Sequence, residues 1–282
     1  MNTLVNATTF GPACLQVDGN PGTVRGSEDC LLLNVYTPSE SQPQTGDLYP
    51  VVVFIHRGSF TKGDTTANPD KIVTRGIVVV TIQYRLGVLG FLSSGGADLP
   101  GNLGLLDQQL ALRWVQQNIH EFCGDRNRVT LTGTGAGGAS VTLHMVSPGS
   151  RGLFHQAIAS SGVFLNPWVL HTGSPDRVRA VARSVGCHCW ADIPIAGLLP
   201  CLQQADPTRL VEAQLQFKGW RDTPAAVFGP VIDRNFVSED PYKFLREGNV
   251  ARVPLLLCVT TEEGDYIVTG EFVFFFSLRI EI

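Results

Sequence analysis

The sequence predicts an α/β fold built on a largely parallel sheet. Short Val- and Ile-rich segments recur along the chain, helical segments lie between them, and glycine-rich turns join strand to helix. Hydrophobic residues make up 44% and charged residues 16% of 282 positions, which excludes intrinsic disorder and predicts a large core. The length fits one large domain or part of one. The net charge of −4, with no basic block, gives a nucleic acid or an anionic membrane no electrostatic support, so no nucleic-acid partner is expected.

The strand signals fall at 31–36, 51–56, 77–84, 129–132, 157–160 and 255–259. Several are nearly continuous apolar runs, as strands covered on both faces require. Between them, 106–122 reads as a helix with Leu106, Leu110, Trp114 and Phe122 on its apolar face and Gln108, Gln116 and Gln117 elsewhere. Asp107 suits the positive start of that helix. The stretch 168–227 is more polar and reads as helices and loops added to the sheet, in the manner of a cap. No repeat or low-complexity linker occurs. The end, 271–282, is an apolar tail whose run Phe272-Val273-Phe274-Phe275-Phe276 reads either as a last core strand or as a non-native end.

No apolar run approaches the ~18 residues that a membrane span needs, so no span is expected. Met1, Asn2, Thr3 and Asn6 form neither the basic nor the apolar region of a signal peptide. The seven cysteines are Cys14, Cys30, Cys123, Cys187, Cys189, Cys201 and Cys258, an odd number that leaves at least one thiol unpaired within the chain. No CxxC pair occurs, and disulfides or free thiols account for Cys187-His188-Cys189 and Cys201 more simply than a metal does. Neither a metal nor a cofactor is expected.

The strand Val129-Thr130-Leu131-Thr132 runs into Gly133-Thr134-Gly135-Ala136-Gly137-Gly138 and then into an apolar helix. A strand, a sharp glycine turn and a helix are the setting of a G-x-S-x-G nucleophile elbow, in which close passage of the two elements demands glycine. Its centre here is Gly135, which has no side-chain nucleophile. Taken alone, Gly133-x-Gly135-x-x-Gly138 also satisfies a dinucleotide-binding turn.

The remaining motifs decide between the two. Glu28-Asp29-Cys30-Leu31-Leu32-Leu33-Asn34-Val35-Tyr36, Gln83-Tyr84-Arg85-Leu86-Gly87, Gly101-Asn102-Leu103-Gly104-Leu105-Leu106-Asp107-Gln108 and Ser150-Arg151-Gly152-Leu153-Phe154 stand in that order around the elbow. Together they resemble the type-B carboxylesterase and cholinesterase family, which includes non-enzymatic adhesion relatives of the neuroligin and neurotactin type. The resemblance runs from Phe10 to about Tyr266. It implies an α/β-hydrolase fold, incomplete at both ends, with a partial domain over 1–270 and a tail at 271–282 that does not match. Apolar surface is then expected to lie uncovered.

The resemblance also assigns roles. The loop His56-Arg57-Gly58-Ser59-Phe60 stands where the family has H-G-G-G-F, so Gly58, Ser59 and Ala136 match the backbone donors of the oxyanion hole. Arg57 replaces a glycine, and Ser59 is similar to the neuroligin form of the loop. Glu263, in Thr261-Glu262-Glu263-Gly264-Asp265, matches the family's acid. The family's histidine follows the acid in sequence, but the last histidine here is His188. By the same resemblance, Cys14 would bridge Cys30, and Cys187 or Cys189 would bridge Cys201, as in an oxidising compartment. Cys123 and Cys258 replace family glycines and are expected as buried thiols. Asn6-Ala7-Thr8 is a glycosylation sequon.

With neither serine nor histidine in the triad, the chain is expected to be a pseudoenzyme, because losing the nucleophile alone costs on the order of 10⁶ in kcat. Thr134, Ser59, Ser140 and Ser161 are the replacement nucleophiles within reach, and none has a visible base. An extracellular or cell-surface interaction ectodomain is the expected function, with another cell-surface protein or a lipophilic ester-like ligand as partner. The alternative is a piece of an active carboxylesterase.

Overall fold

Val51, Val53 and Ile55 alternate with half-buried neighbours, whereas 78–82 are buried throughout, and these two segments pair inside a six-stranded sheet. The computed structural model describes residues 7–18, 23–38, 48–66, 68–188, 193–218, 226–261 and 263. The elements in chain order are β1 (Gln16–Val17), β2 (Val24–Arg25), β3 (Leu33–Tyr36), β4 (Tyr49–Ile55), α1 (Asp70–Val73), β5 (Val78–Ile82), α2 (Gly87–Phe91) and α3 (Leu103–Asn118). There follow β6 (Gly124–Thr134), α4 (Ala136–Val146), β7 (Gln156–Ser160), α5 (Pro175–Ser184), α6 (Ile195–Gln204), α7 (Pro207–Ala213), α8 (Pro241–Glu247) and β8 (Leu255–Cys258).

The sheet order is β3-β5-β4-β6-β7-β8. Only β3 runs antiparallel to its neighbour, and the other pairings are parallel. This is the predicted α/β architecture. All six predicted strands are present, with shifted ends. The largest shift is in β6, which begins at Gly124 because a bulge lets the polar stretch 124–128 start the strand opposite Tyr49. The segment 168–227 contains α5, α6 and α7 as expected, but they pack on one another, on α2 and on the small β1–β2 ribbon rather than across the sheet.

Helix α3 corrects one expectation. Leu105, Gln108, Leu112, Val115 and Ile119 are the buried stripe, while Leu110 is 61% exposed. Trp114 and Phe122 touch each other at the margin. The apolar count missed Gln108 because its amide is satisfied inside: Nε2 donates to Ser140 Oγ (3.2 Å), and Oε1 lies 3.1 Å from His144 Nε2. Gln108 Oε1 can only accept, so Nε2 of His144 carries the proton and Nδ1 accepts from Ser150 Oγ (2.8 Å).

Asp107 does more than suit a helix start. Its carboxylate accepts from Arg85 Nε and Nη2, each at 2.8 Å, and from the Arg85 backbone N–H at 3.1 Å. That pair ties the turn after β5 to α3. Asp107→Ala is expected to lower stability by about 2 kcal/mol, less than for a fully buried pair because the Arg85 side chain is 36% exposed and regains water. Urea unfolding of the two proteins measures it.

Cys14 is bonded to Cys30, and Cys187 to Cys201. Cys189, Asn6 and the run 272–276 lie outside the described residues. Of the two cysteines expected as buried thiols, Cys123 is half-buried and Cys258 is exposed. Cys258 ends β8, an edge strand of the sheet among the described residues, where Leu255, Leu256 and Leu257 are 41–58% exposed. No helix of the described residues is long and apolar enough to cross a membrane.

Candidate functional site

Strands β4, β6, β7 and β8 are parallel neighbours, so their carboxyl ends gather at one edge of the sheet, where α/β folds place their sites. The loop 56–60 leaves β4, the turn 133–138 leaves β6, Ser160–Gly162 leaves β7, and Thr260 and Glu263 follow β8. Topology therefore places Gly58, Ser59, Gly135, Ala136, Ser161 and Glu263 on segments that leave this edge, whereas Ser140 lies inside α4.

The elbow is one tight object. Gly135 has φ 57° and ψ −116°, a conformation that favours glycine, and its N–H donates to Ser160 O at 2.8 Å. Close approach explains three other glycines. A Cβ at Gly133 would lie 2.4 Å from Gly137 C, one at Gly137 2.2 Å from Ile55 O, and one at Gly162 2.0 Å from Gly135 O. Gly135 itself is different. A Cβ there would have Arg57 Cβ at 3.9 Å as its nearest neighbour, so space for a side chain exists and none fills it.

The loop 56–60 is pinned by backbone hydrogen bonds. Thr61 N and Lys62 N each donate to Gly58 O at 3.0 Å, and Gly87 N donates to Phe60 O at 2.7 Å. Phe60 is buried against Phe91 and Trp168. The buried His56 ring stacks on Tyr84 at 4.3 Å, and Tyr84 Oη donates to His56 O at 3.2 Å. His56 Nδ1 donates to Arg57 O at 2.9 Å, since a carbonyl can only accept. Burial brings the His56 pKa down to about 4, so the ring is neutral and holds the loop in place. Sequence analysis did not single out this supporting role. The position of His56 directly before Arg57 was the available signal.

The N–H groups of Gly58 and Ser59 meet no acceptor among the described residues, and Ala136 opens α4, where the helix leaves its first N–H groups free. Arg57 is exposed, and no ion pair engages it among the described residues. Glu263 accepts from Thr260 N at 2.7 Å. That bond, joined by one from the Ser161 hydroxyl, holds the exposed Glu263 carboxyl below the usual carboxylate range. Ser161 is in turn tied down through its N–H to Cys258 O at 2.8 Å. Glu263 is thus set beside the end of β7, whose Ser160 O accepts from the Gly135 N–H of the elbow.

None of the replacement hydroxyls bonds a histidine among the described residues. Ser140 is buried on Gln108, and Ser161 faces Glu263. The one Ser–His contact found there, Ser150 to His144, is fully buried. A cavity of about 530 Å³ is lined by Thr37, Tyr49, Asp70 and Gly76, at the opposite edge of the sheet, and does not reach the elbow.

Comparison with known proteins agrees with this geometry. The model of the carboxylesterase family matches residues 2–273. The chain is 38% identical to juvenile hormone esterase of Tribolium castaneum over 93% of its own length and 46% of the relative's. It is 38% identical to acetylcholinesterase of Bungarus fasciatus over 94% and 46%, and 36% identical to bile salt-activated lipase of Rattus norvegicus over 94% and 44%. The chain therefore spans about half the length of the curated relatives it matches. With the sheet, the elbow and the loops in the order described, the chain belongs to the carboxylesterase family.

Proposed function

We propose that this protein is a non-catalytic member of the family that uses the esterase fold as a binding surface, as an interaction or adhesion-type ectodomain. The supporting observation is Gly135 at the centre of the elbow, where the family's chemistry needs a serine. The two disulfides support an extracellular or cell-surface setting. Another cell-surface protein or a lipophilic ester-like molecule is the partner class. The test is hydrolysis of p-nitrophenyl butyrate by the purified chain. We expect no turnover above buffer and no covalent label from an organophosphate, and Gly135→Ser alone to restore neither in these 282 residues, which hold no histidine between Glu263 and Ile282. Turnover accompanied by labelling overturns the proposal.

The match to about half of each relative's length favours one second reading, a piece of an active carboxylesterase. Sequencing the transcript beyond the codon for Ile282 separates the two. A serine codon in the elbow and a histidine downstream would support an ester hydrolase.

A further inference from the structure

The elbow has no nucleophile, yet the groups around it still favour negative charge. Gly58 and Ser59 present N–H groups with no acceptor among the described residues, and Ala136 presents a third. The family's glycine in this loop is here Arg57, whose Cβ lies 3.9 Å from the place a Gly135 side chain would start. No ion pair engages it among the described residues, and the two carboxylates of the flanking loops have other partners. Asp64 is paired with Arg25 at 3.1 Å and accepts from Thr66, while Glu263 is taken by Thr260 and Ser161.

We propose that this space holds a small carboxylate ion, gripped by the Arg57 guanidinium and by the N–H groups of Gly58, Ser59 and Ala136. The proposal rests on the non-catalytic reading above and gives its ligand a chemistry. A donor set built for a neutral ester needs strong N–H groups only where charge develops in the transition state. A full cation beside those donors favours a ligand that carries its negative charge from the start. The guanidinium fork matches the two carboxylate oxygens, and the empty side-chain space at Gly135 admits an oxygen where a serine would obstruct it. No bond is made or broken in the process. Because Arg57 is exposed, the attraction is expected to weaken with salt.

The experiment uses the full 282-residue chain. Butyrate is titrated by calorimetry and by amide chemical shifts, with butyramide as the uncharged counterpart. Saturable butyrate binding is expected, with butyramide about tenfold weaker or worse. Arg57→Gly, which restores the family's residue at an exposed position, is expected to weaken butyrate about tenfold without moving the thermal midpoint, and Arg57→Lys to fall between. The proposal is overturned if butyrate does not bind, if butyramide binds as well, or if Arg57→Gly leaves the affinity unchanged. Ester turnover by the same protein would instead sink the non-catalytic reading, so the two failures are told apart.

Discussion

Gly137→Ala is expected to cost about 3 kcal/mol or more, enough to unfold a marginal domain. The added Cβ would lie 2.2 Å from Ile55 O, 3.0 Å from Ile55 C and 3.1 Å from His56 O. All three atoms are backbone, and Ile55 pairs with β5 on one side and β6 on the other. No rotamer change relieves the contact, so either β4 or the first turn of α4 must move. Gly135→Ala is the internal control. It meets only Arg57 Cβ at 3.9 Å, and its penalty comes from the strained backbone conformation alone, about 1–3 kcal/mol. Gly162→Ala, with its Cβ 2.0 Å from Gly135 O, should resemble Gly137→Ala. Urea midpoints of the three variants order them. Equal losses at 135 and 137 would mean that close backbone approach does not shape the elbow. The contrast bears on function, because the turn's outer glycines are required by the fold, whereas at the centre φ only favours glycine and its absent side chain leaves the position open.

The same distinction explains what the sequence could reveal. The parallel strands were legible because fully covered strands need unbroken Val and Ile, and 78–82 is such a run. The elbow was legible because glycines at close crossings have a fixed spacing. The buried face of α3 was not, because Gln108 enters the core through partners 32 and 36 residues away, Ser140 and His144, which an apolar count along one helix cannot see. Cys258 was misjudged for a related reason. An apolar strand sequence does not say whether it is central or outermost, and β8 has a neighbour on one side only among the described residues. The contact of Glu263 with Ser161 depends on β7 and β8 being adjacent, which no local motif encodes.

Acidification from pH 7 to pH 5 is expected to remove about 4 kcal/mol of stability through two buried histidines. His144 is fully buried between Gln108, Ser150 and Phe236, and burial pushes its pKa from 6.5 down to about 3. His56 falls to about 4 for the same reason, partly offset by its bond to Arg57 O. Well above pH 6.5 both rings are neutral whether folded or not, and neither contributes a pH dependence. Below it, the unfolded chain takes up both protons while the native state takes up neither. Stability therefore falls with decreasing pH by about 1.4 kcal/mol per unit for each ring until the folded pKa values are reached. Carboxylates do not confuse this window. The carboxyls of Asp64 and Asp125 are held low by hydrogen bonds and arginines, so their contribution is present above the ordinary carboxylate pKa of 3.8 and is lost progressively as pH falls from there toward the folded values, below this window. Urea midpoints between pH 7.5 and 5 measure the slope. His144→Gln keeps a hydrogen-bonding side chain but cannot titrate, and it should remove about 1.4 kcal/mol per pH unit whatever it does to the absolute midpoint, leaving the slope from His56 and from His171, whose pKa burial also lowers. A wild-type midpoint that stays level across this range would mean that His144 is solvated, and the Gln108–His144–Ser150 chain joining α3 to α4 would have to be redrawn.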